Sequence, residues 1–142
     1  MSTRSSITVK CEDGKFRSVY CHFDGDLIWV GKVLFKYYNS QEKIEALVAL
    51  GDMSSLDKSI KCPKGHSYDN SIDGYTIFYG RDRGESNVDA LVEDSYAKCL
   101  KKNKQSYNYL WDGEKWLVSS SIIKKGTILE EKLIIEEVIN KK

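Results

Sequence analysis

Hydrophobic and polar positions alternate along this chain with two different periods, which predicts a mixture of strands and helices. Around Asp13-Gly14 the period is two, and Asp-Gly is the strongest short-range hairpin signal. We expect a two-residue turn that pairs Ile7 with Tyr20. This register puts Cys11 and Cys21 on opposite faces, so they cannot form a disulfide within the hairpin.

From Leu27 the period changes to 3.6, which predicts a helix that ends near Asn39. A second helix follows at once. Asn39 with Glu42 resembles a capping box, and Gly51 suits the position after a helix end. The two elements predict an αα-hairpin.

Residues 52–73 are polar and rich in Ser, Asp, Asn and Gly, and we expect them to form an ordered functional loop. Residues 75–79 are apolar on both faces, which is typical of an inner strand. Asn87 is a suitable N-cap for a third helix over residues 88–103.

A second hairpin is predicted around Asp112-Gly113, with one aromatic face of Tyr107, Tyr109, Trp111, Trp116 and Val118 that we expect to be core. A final helix opens with a Thr127, Glu130 capping box and buries Ile128, Leu133, Ile134 and Val138. The element order ββααβαββα predicts a single α+β domain over residues 1–142. We expect a mostly antiparallel sheet of about five strands covered by helices.

Charge and composition narrow the class of protein. The chain has 22 Lys and Arg against 21 Asp and Glu, a net charge of +1, which disfavours a nucleic-acid partner. It has no apolar run of membrane-spanning length and no secretory signal, so we expect a cytoplasmic protein with four reduced cysteines and no membrane partner. The sequence is compatible with both a monomer and a homo-oligomer.

Arg81 and Arg83 form the feature that most favours ligand binding. The chain has four arginines, and these two lie within three residues directly after the predicted inner strand. The planar guanidinium suits bidentate recognition of phosphate, and Gly84 permits a close backbone approach. The alternative is a structural role, in which these arginines pair with neighbouring aspartates in a network at the surface and bind no ligand.

Two histidines supply further candidates. His22 and Asp24 lie at a strand end and could act as a base with its orienting group, as ligand contacts, or as a hydrogen-bonded structural pair. Cys62 and His66 have a spacing compatible with zinc, but they lack a second ligand pair of ordinary zinc-finger spacing. We therefore expect no metal and no cofactor, and we keep His66 as a polar ligand contact.

Five segments together resemble a group of small uncharacterised proteins of bacteriophages and of bacterial genomes, in prophage regions. They are MSTRS at 1–5, YCHFDG at 20–25, GDMSSL at 51–56, GHS at 65–67 and FYGRDRGE at 78–85. The resemblance covers about the first 85 residues and more loosely the second hairpin. It implies an accessory phage protein that binds a host factor or disarms host defence.

Combined with the arginine pair, the resemblance favours capture of a phosphate-bearing small molecule, such as a signalling nucleotide. Arg81 and Arg83 would hold phosphates, Tyr79 or Trp111 would stack on a base, and the histidines would add polar contacts. Two alternatives stay open: a His/Asp or metal-dependent hydrolase or phosphodiesterase that acts on a nucleotide, and an inhibitor that docks on a host protein.

Overall fold

A computed structural model of the chain describes residues 2–140, with side chains described for residues 2–134, and it confirms the α+β class. The strands are β1 Ser5–Lys10, β2 Phe16–Cys21, β3 Met53–Ser55, β4 Ile77–Phe78, β5 Leu91–Glu93, β6 Tyr107–Trp111, β7 Trp116–Ser120 and β8 Thr127–Ile128. The helices are α1 Lys32–Tyr37, α2 Gln41–Ala49, α3 Tyr79–Arg83, α4 Tyr96–Asn103 and α5 Leu129–Asn140. A π-helical turn, Leu27–Gly31, leads into α1.

The sheet is larger and more mixed than the sequence predicted. Its strand order is β4-β3-β2-β1-β6-β7-β8, and β5 pairs with β2 beside β3. The pairs β1–β6 and β2–β3 are parallel, and the other pairs are antiparallel. The expectation of about five mostly antiparallel strands was therefore wrong, because β3, β5 and β8 are two or three residues long and too short to show a period.

The first hairpin forms at Asp13-Gly14, but its register differs by one residue from the prediction. Ile7 pairs with Val19, because the chain reverses through a three-residue loop that ends with Gly14 at φ +86°. Cys11 and Cys21 consequently lie on the same face, not on opposite faces. Both are free thiols, since Cys21 pairs with Ser5 at the far end of the hairpin.

Helices cover both faces of the sheet. The main core lies under α1, α2 and α5, and its largest fully buried side chains include Tyr109, Phe78 and Ile7. The predicted aromatic face of the second hairpin belongs to this core, with Trp111 opposite Trp116 and Tyr109 opposite Val118. The other face is covered in part by α4.

Three helix predictions need correction. The first helix begins as a π-helical turn and ends at Tyr37, and the second is capped by Ser40, which accepts from Lys43 N–H, and not by Asn39. The helix predicted over 88–103 is a strand followed by α4, capped by Ser95. The residues at its start pair with β2 instead, because backbone hydrogen bonds to an existing strand stabilise them more than a short isolated helical turn would.

The final helix begins after β8, so the predicted capping box does not form, and Thr127 and Ile128 are strand residues. Leu133 is buried as predicted, but Ile134 is exposed. Val138 lies outside the described side chains. Within residues 2–140, no helix combines the length and the apolar character that crossing a membrane requires.

The strand predicted for the middle of the sheet, β4, lies at its edge. Phe78 is fully buried in the main core and Ile77 is half-buried. A loop at residues 56–76 connects β3 to this strand, and its two ends are hydrogen-bonded to each other. Thr76 N–H donates to the Ser59 carbonyl, and the Thr76 hydroxyl donates to the Asp57 carbonyl while it accepts from Asp57 N–H. This long loop is therefore ordered, as expected, but residues 53–55 of the predicted loop form strand β3.

Gly51 ends α2 in the left-handed region, at φ +84°, and an added Cβ would lie 2.4 Å from the Val88 carbonyl oxygen. We expect Gly51→Ala to lower the free energy of unfolding by about 3 kcal/mol, from backbone strain plus the clash. Gly14→Ala is the control, since its φ is +86° with nothing within 4 Å. It should cost only about 1 kcal/mol. Urea unfolding would measure both, and equal losses would contradict the clash.

The four cysteines differ in accessibility. Burial raises the pKa of Cys21 to about 12 and of Cys99 to about 11, and burial also raises the pKa of Cys11, while Cys62 is exposed. We expect Ellman's reagent to modify one thiol quickly in the native protein and the remaining three only after unfolding. Cys62→Ser should abolish the fast phase. A fast phase that survives this substitution would contradict the burial of the other three.

Candidate functional site

The second face of the sheet is only half covered. Helix α4 lies over β1 and the first half of β2, where Asn103 donates to the Ser18 hydroxyl at 3.0 Å. Beyond Ser18 the alternation of β2 points Tyr20 away from the main core. Ser54 points the same way, since its strand neighbour Met53 is a core residue. Tyr79, the first residue of α3, lies near enough to Ser54 for Ser54 to influence its pKa.

Tyr20 and His22 form a close pair at the end of β2. The Tyr20 hydroxyl lies 2.5 Å from His22 Nδ1, and the Ser2 hydroxyl lies 3.4 Å from His22 Nε2. The Phe23 ring packs edge-on against the imidazole, with ring centroids 4.5 Å apart. His22 is therefore oriented by a tyrosine, and it remains partly exposed.

Arg83 is stacked on two tyrosines, Tyr68 of the long loop and Tyr79 of α3. Its guanidinium carbon lies 4.6 Å from the centre of the Tyr68 ring and 6.0 Å from that of Tyr79. The two tyrosine rings are themselves 6.1 Å apart. Stacking holds the guanidinium in place. Its N–H groups point outward in the plane of the guanidinium, so they can still donate to a ligand.

The two groups meet through Tyr20, which lies near enough to Tyr79 to influence its pKa. We call the five residues Tyr20, His22, Tyr68, Tyr79 and Arg83 the tyrosine–arginine surface. Burial raises the pKa of both Tyr20 and Tyr79, so their hydroxyl groups are neutral hydrogen-bond donors at neutral pH. Arg4 opposes this shift for Tyr20, which places a second positive charge near the surface. The surface thus combines aromatic rings, neutral donors and cations.

Arg81 points away from this surface and into the protein. It donates to both carboxylate oxygens of Asp82, at 2.8 and 3.1 Å, to the Thr76 carbonyl at 3.2 Å and to the Ile60 carbonyl. Four of its five N–H groups are used within the chain. The geometry favours the surface-network alternative for Arg81 and leaves Arg83 as the free member of the pair.

Asp82 is the centre of this network. Its side chain is fully buried and accepts from Phe78 N–H at 2.8 Å in addition to Arg81. Burial raises its pKa, but hydrogen bonds from Arg81 and Phe78 outweigh burial and hold the pKa below its usual range. The Asp82 carbonyl also accepts from Tyr68 N–H at 3.0 Å, which fixes the loop next to Arg83.

His66 is a buried structural residue in the same network. Its Nδ1 accepts from Ile72 N–H at 3.0 Å and its Nε2 lies 3.2 Å from the Thr76 carbonyl, which assigns the proton to Nε2. Both ring nitrogens are used, so no nitrogen is left for a ligand or a metal. Among the described side chains, no three His, Cys, Asp or Glu residues are grouped as metal ligands.

The two remaining candidates lie apart from the surface. Trp111 is buried in the main core and donates to Gln41 at 2.7 Å. Asp24 is exposed beside Phe23, with φ +56°, and its carbonyl accepts from Val30 N–H, which starts the π-helical turn. Of the seven residues selected from the sequence, the structure thus brings Tyr79 and Arg83 into contact, and it connects His22 to them through Tyr20.

Sequence reasoning missed Tyr20 and Tyr68. Tyr20 was assigned to the core side of the hairpin because the register was displaced by one residue. Tyr68 lies in the loop that was expected to be functional, but nothing in a single sequence places it against Arg83, 15 positions further along the chain. Comparison of the chain with protein-family models, with curated proteins and with solved structures finds no match.

We expect Asp82→Asn to lower the free energy of unfolding by about 3 kcal/mol, because it leaves Arg81 without its buried counter-charge. The pKa of Asp82 is lower in the folded than in the unfolded chain, so its contribution is complete above about pH 4 and is lost as the pH falls through the folded value. The difference in the free energy of unfolding between Asp82→Asn and the wild type should therefore become smaller at acidic pH. Urea unfolding at several pH values would measure it.

Asp13→Asn is the control for this experiment, since Asp13 pairs with Arg17 at the exposed hairpin tip. It should change the unfolding midpoint little. If the two variants are equally stable at pH 7, the proposed role of the Asp82 network is wrong.

Proposed function

We propose that the protein is an accessory phage protein that binds a phosphate-bearing small molecule with an aromatic ring, such as a signalling nucleotide, and so counters host defence. The observation that carries the proposal is the stacking of Arg83 on Tyr68 and Tyr79, with Tyr20, the hydrogen-bond partner of His22, near Tyr79. The resemblance to small phage proteins supports the role in defence.

The arrangement suits binding because its parts are held in place before a ligand arrives. Tyr68 is fixed through its backbone to Asp82, and Arg83 is fixed by the two rings, so little conformational entropy is lost on binding. A phosphate would accept from the free N–H groups of Arg83. A base would stack on a tyrosine ring, with the neutral tyrosine hydroxyls and His22 as polar contacts.

The hydrolase alternative has less support from these contacts. Catalysis was expected from His22 and His66 with an aspartate partner. Nδ1 of His22 is paired with Tyr20, and His66 is buried with both nitrogens engaged. The inhibitor alternative rests on no specific contact of the described residues. Nucleotide titration, followed by recovery of the ligand, distinguishes all three functions.

The test is isothermal titration calorimetry with a panel of mono-, di- and cyclic nucleotides. Arg83→Gln should weaken the nucleotide that binds by about 10-fold to 100-fold, because one charge-assisted hydrogen bond is lost. Arg17→Gln is the matched control, since Arg17 lies at the hairpin tip and pairs with Asp13. It should leave the affinity unchanged.

Ligand recovered intact after denaturation supports capture, whereas altered product indicates catalysis. If no nucleotide binds and a host protein co-purifies, the inhibitor alternative replaces the proposal. If a nucleotide binds with the same affinity to Arg83→Gln as to the wild type, the assignment to the tyrosine–arginine surface fails.

A further inference from the structure

A second charged surface lies on the opposite side of the sheet, where α1 and α2 meet the loop that follows β3. The surface is a groove of about 370 Å³, and four of its lining residues are lysines: Lys36, Lys43, Lys58 and Lys61. We call it the basic groove. Glu42 is the one acidic residue among those that line it.

The four ammonium groups lack counter-charges. All four side chains are exposed, and within the described part of the chain none of them forms an ion pair with a carboxylate. By contrast, Lys98 and Lys102 on α4 pair with Asp94 and Glu93. The groove therefore keeps a net positive charge, with four lysines against the single acidic lining residue Glu42.

The position of Lys43 adds a structural cost. It is the third residue of α2 after the Ser40 cap, and the positive end of the helix dipole disfavours a cation in this first turn. Convergence of four like charges in one groove is unfavourable as well. Folding alone gives no reason for this arrangement, whereas an anionic ligand would make it favourable.

Contacts of the loop with α1 and α3 hold the basic groove rigid. Lys58 lies 5.7 Å from the centre of the Tyr37 ring, and Tyr38 fixes the loop by donating to the Asp57 carbonyl at 2.6 Å. On the far side of the loop, Arg81 donates to the Ile60 carbonyl. Two independent contacts thus hold the loop against α1 and α3.

We propose that the basic groove is a second anion-binding site, which takes a short chain of linked phosphates. The volume matches a small molecule and not a protein surface. Lysine binds phosphate as a point charge, and the groove has no arginine to recognise a carboxylate by a bidentate pair. Free triphosphate and the phosphate chain of a nucleoside triphosphate share this chemistry.

The test is a calorimetric titration with inorganic triphosphate and, in parallel, with adenosine triphosphate. Lys43→Gln combined with Lys61→Gln should weaken triphosphate binding at least tenfold. The matched control, Lys101→Gln with Lys104→Gln, removes the same charge at the C-terminal end of α4, on the other face of the sheet, and it should leave the affinity within twofold. Tighter binding of adenosine triphosphate would show that a nucleoside adds contacts, and equal affinities would identify the free phosphate chain as sufficient.

Glu42→Gln is expected to strengthen binding, an effect that partial unfolding of the variant would not produce. It removes the acidic lining residue, so triphosphate should bind about two- to fivefold more tightly. The proposal is overturned if triphosphate does not bind the wild type, if the control pair weakens it as much as the groove pair, or if citrate binds equally well. Arg83→Gln should not affect triphosphate binding, so this proposal can fail independently of the proposed function.

Discussion

The buried carboxylate of Asp82 organises the part of the molecule where function is concentrated. Its side chain accepts from Arg81 and from the N–H of Phe78, the residue before α3, and its carbonyl accepts from Tyr68 N–H. Through Arg81 the same network reaches Thr76 and Ile60, and so the two ends of the long loop. A loop of this length pays a large entropic cost to be ordered, and one buried, fully hydrogen-bonded charge offsets part of it.

This network separates two arginines that are nearly adjacent in the chain. Arg81 points inward, and its N–H groups are engaged in structural hydrogen bonds. Arg83, two residues later, lies against Tyr68 and Tyr79 at the surface. The loop that Asp82 fixes also forms one wall of the basic groove. The two candidate anion sites therefore share a support but lie on opposite faces of the sheet.

Some site residues could be selected from sequence because their chemistry is local. A strand end with His22, and two arginines beside Gly84, are features that adjacent residues define. Their partners could not be found in this way. Tyr68 meets Arg83 through a loop, Tyr20 meets His22 only in the observed hairpin register, and the four groove lysines come from two helices and a loop.

The sequence by itself determined the α+β class, both Asp-Gly hairpins, the second helix with Gly51 after it and the aromatic core face of the second hairpin. These follow from short-range patterns of burial and turn formation. Tertiary structure alone decided the eight-stranded mixed sheet and the strand at residues 91–93. It also decided the inward turn of Arg81 and His66. Short strands and buried polar groups depend on partners distant in sequence, and no local period encodes those partners.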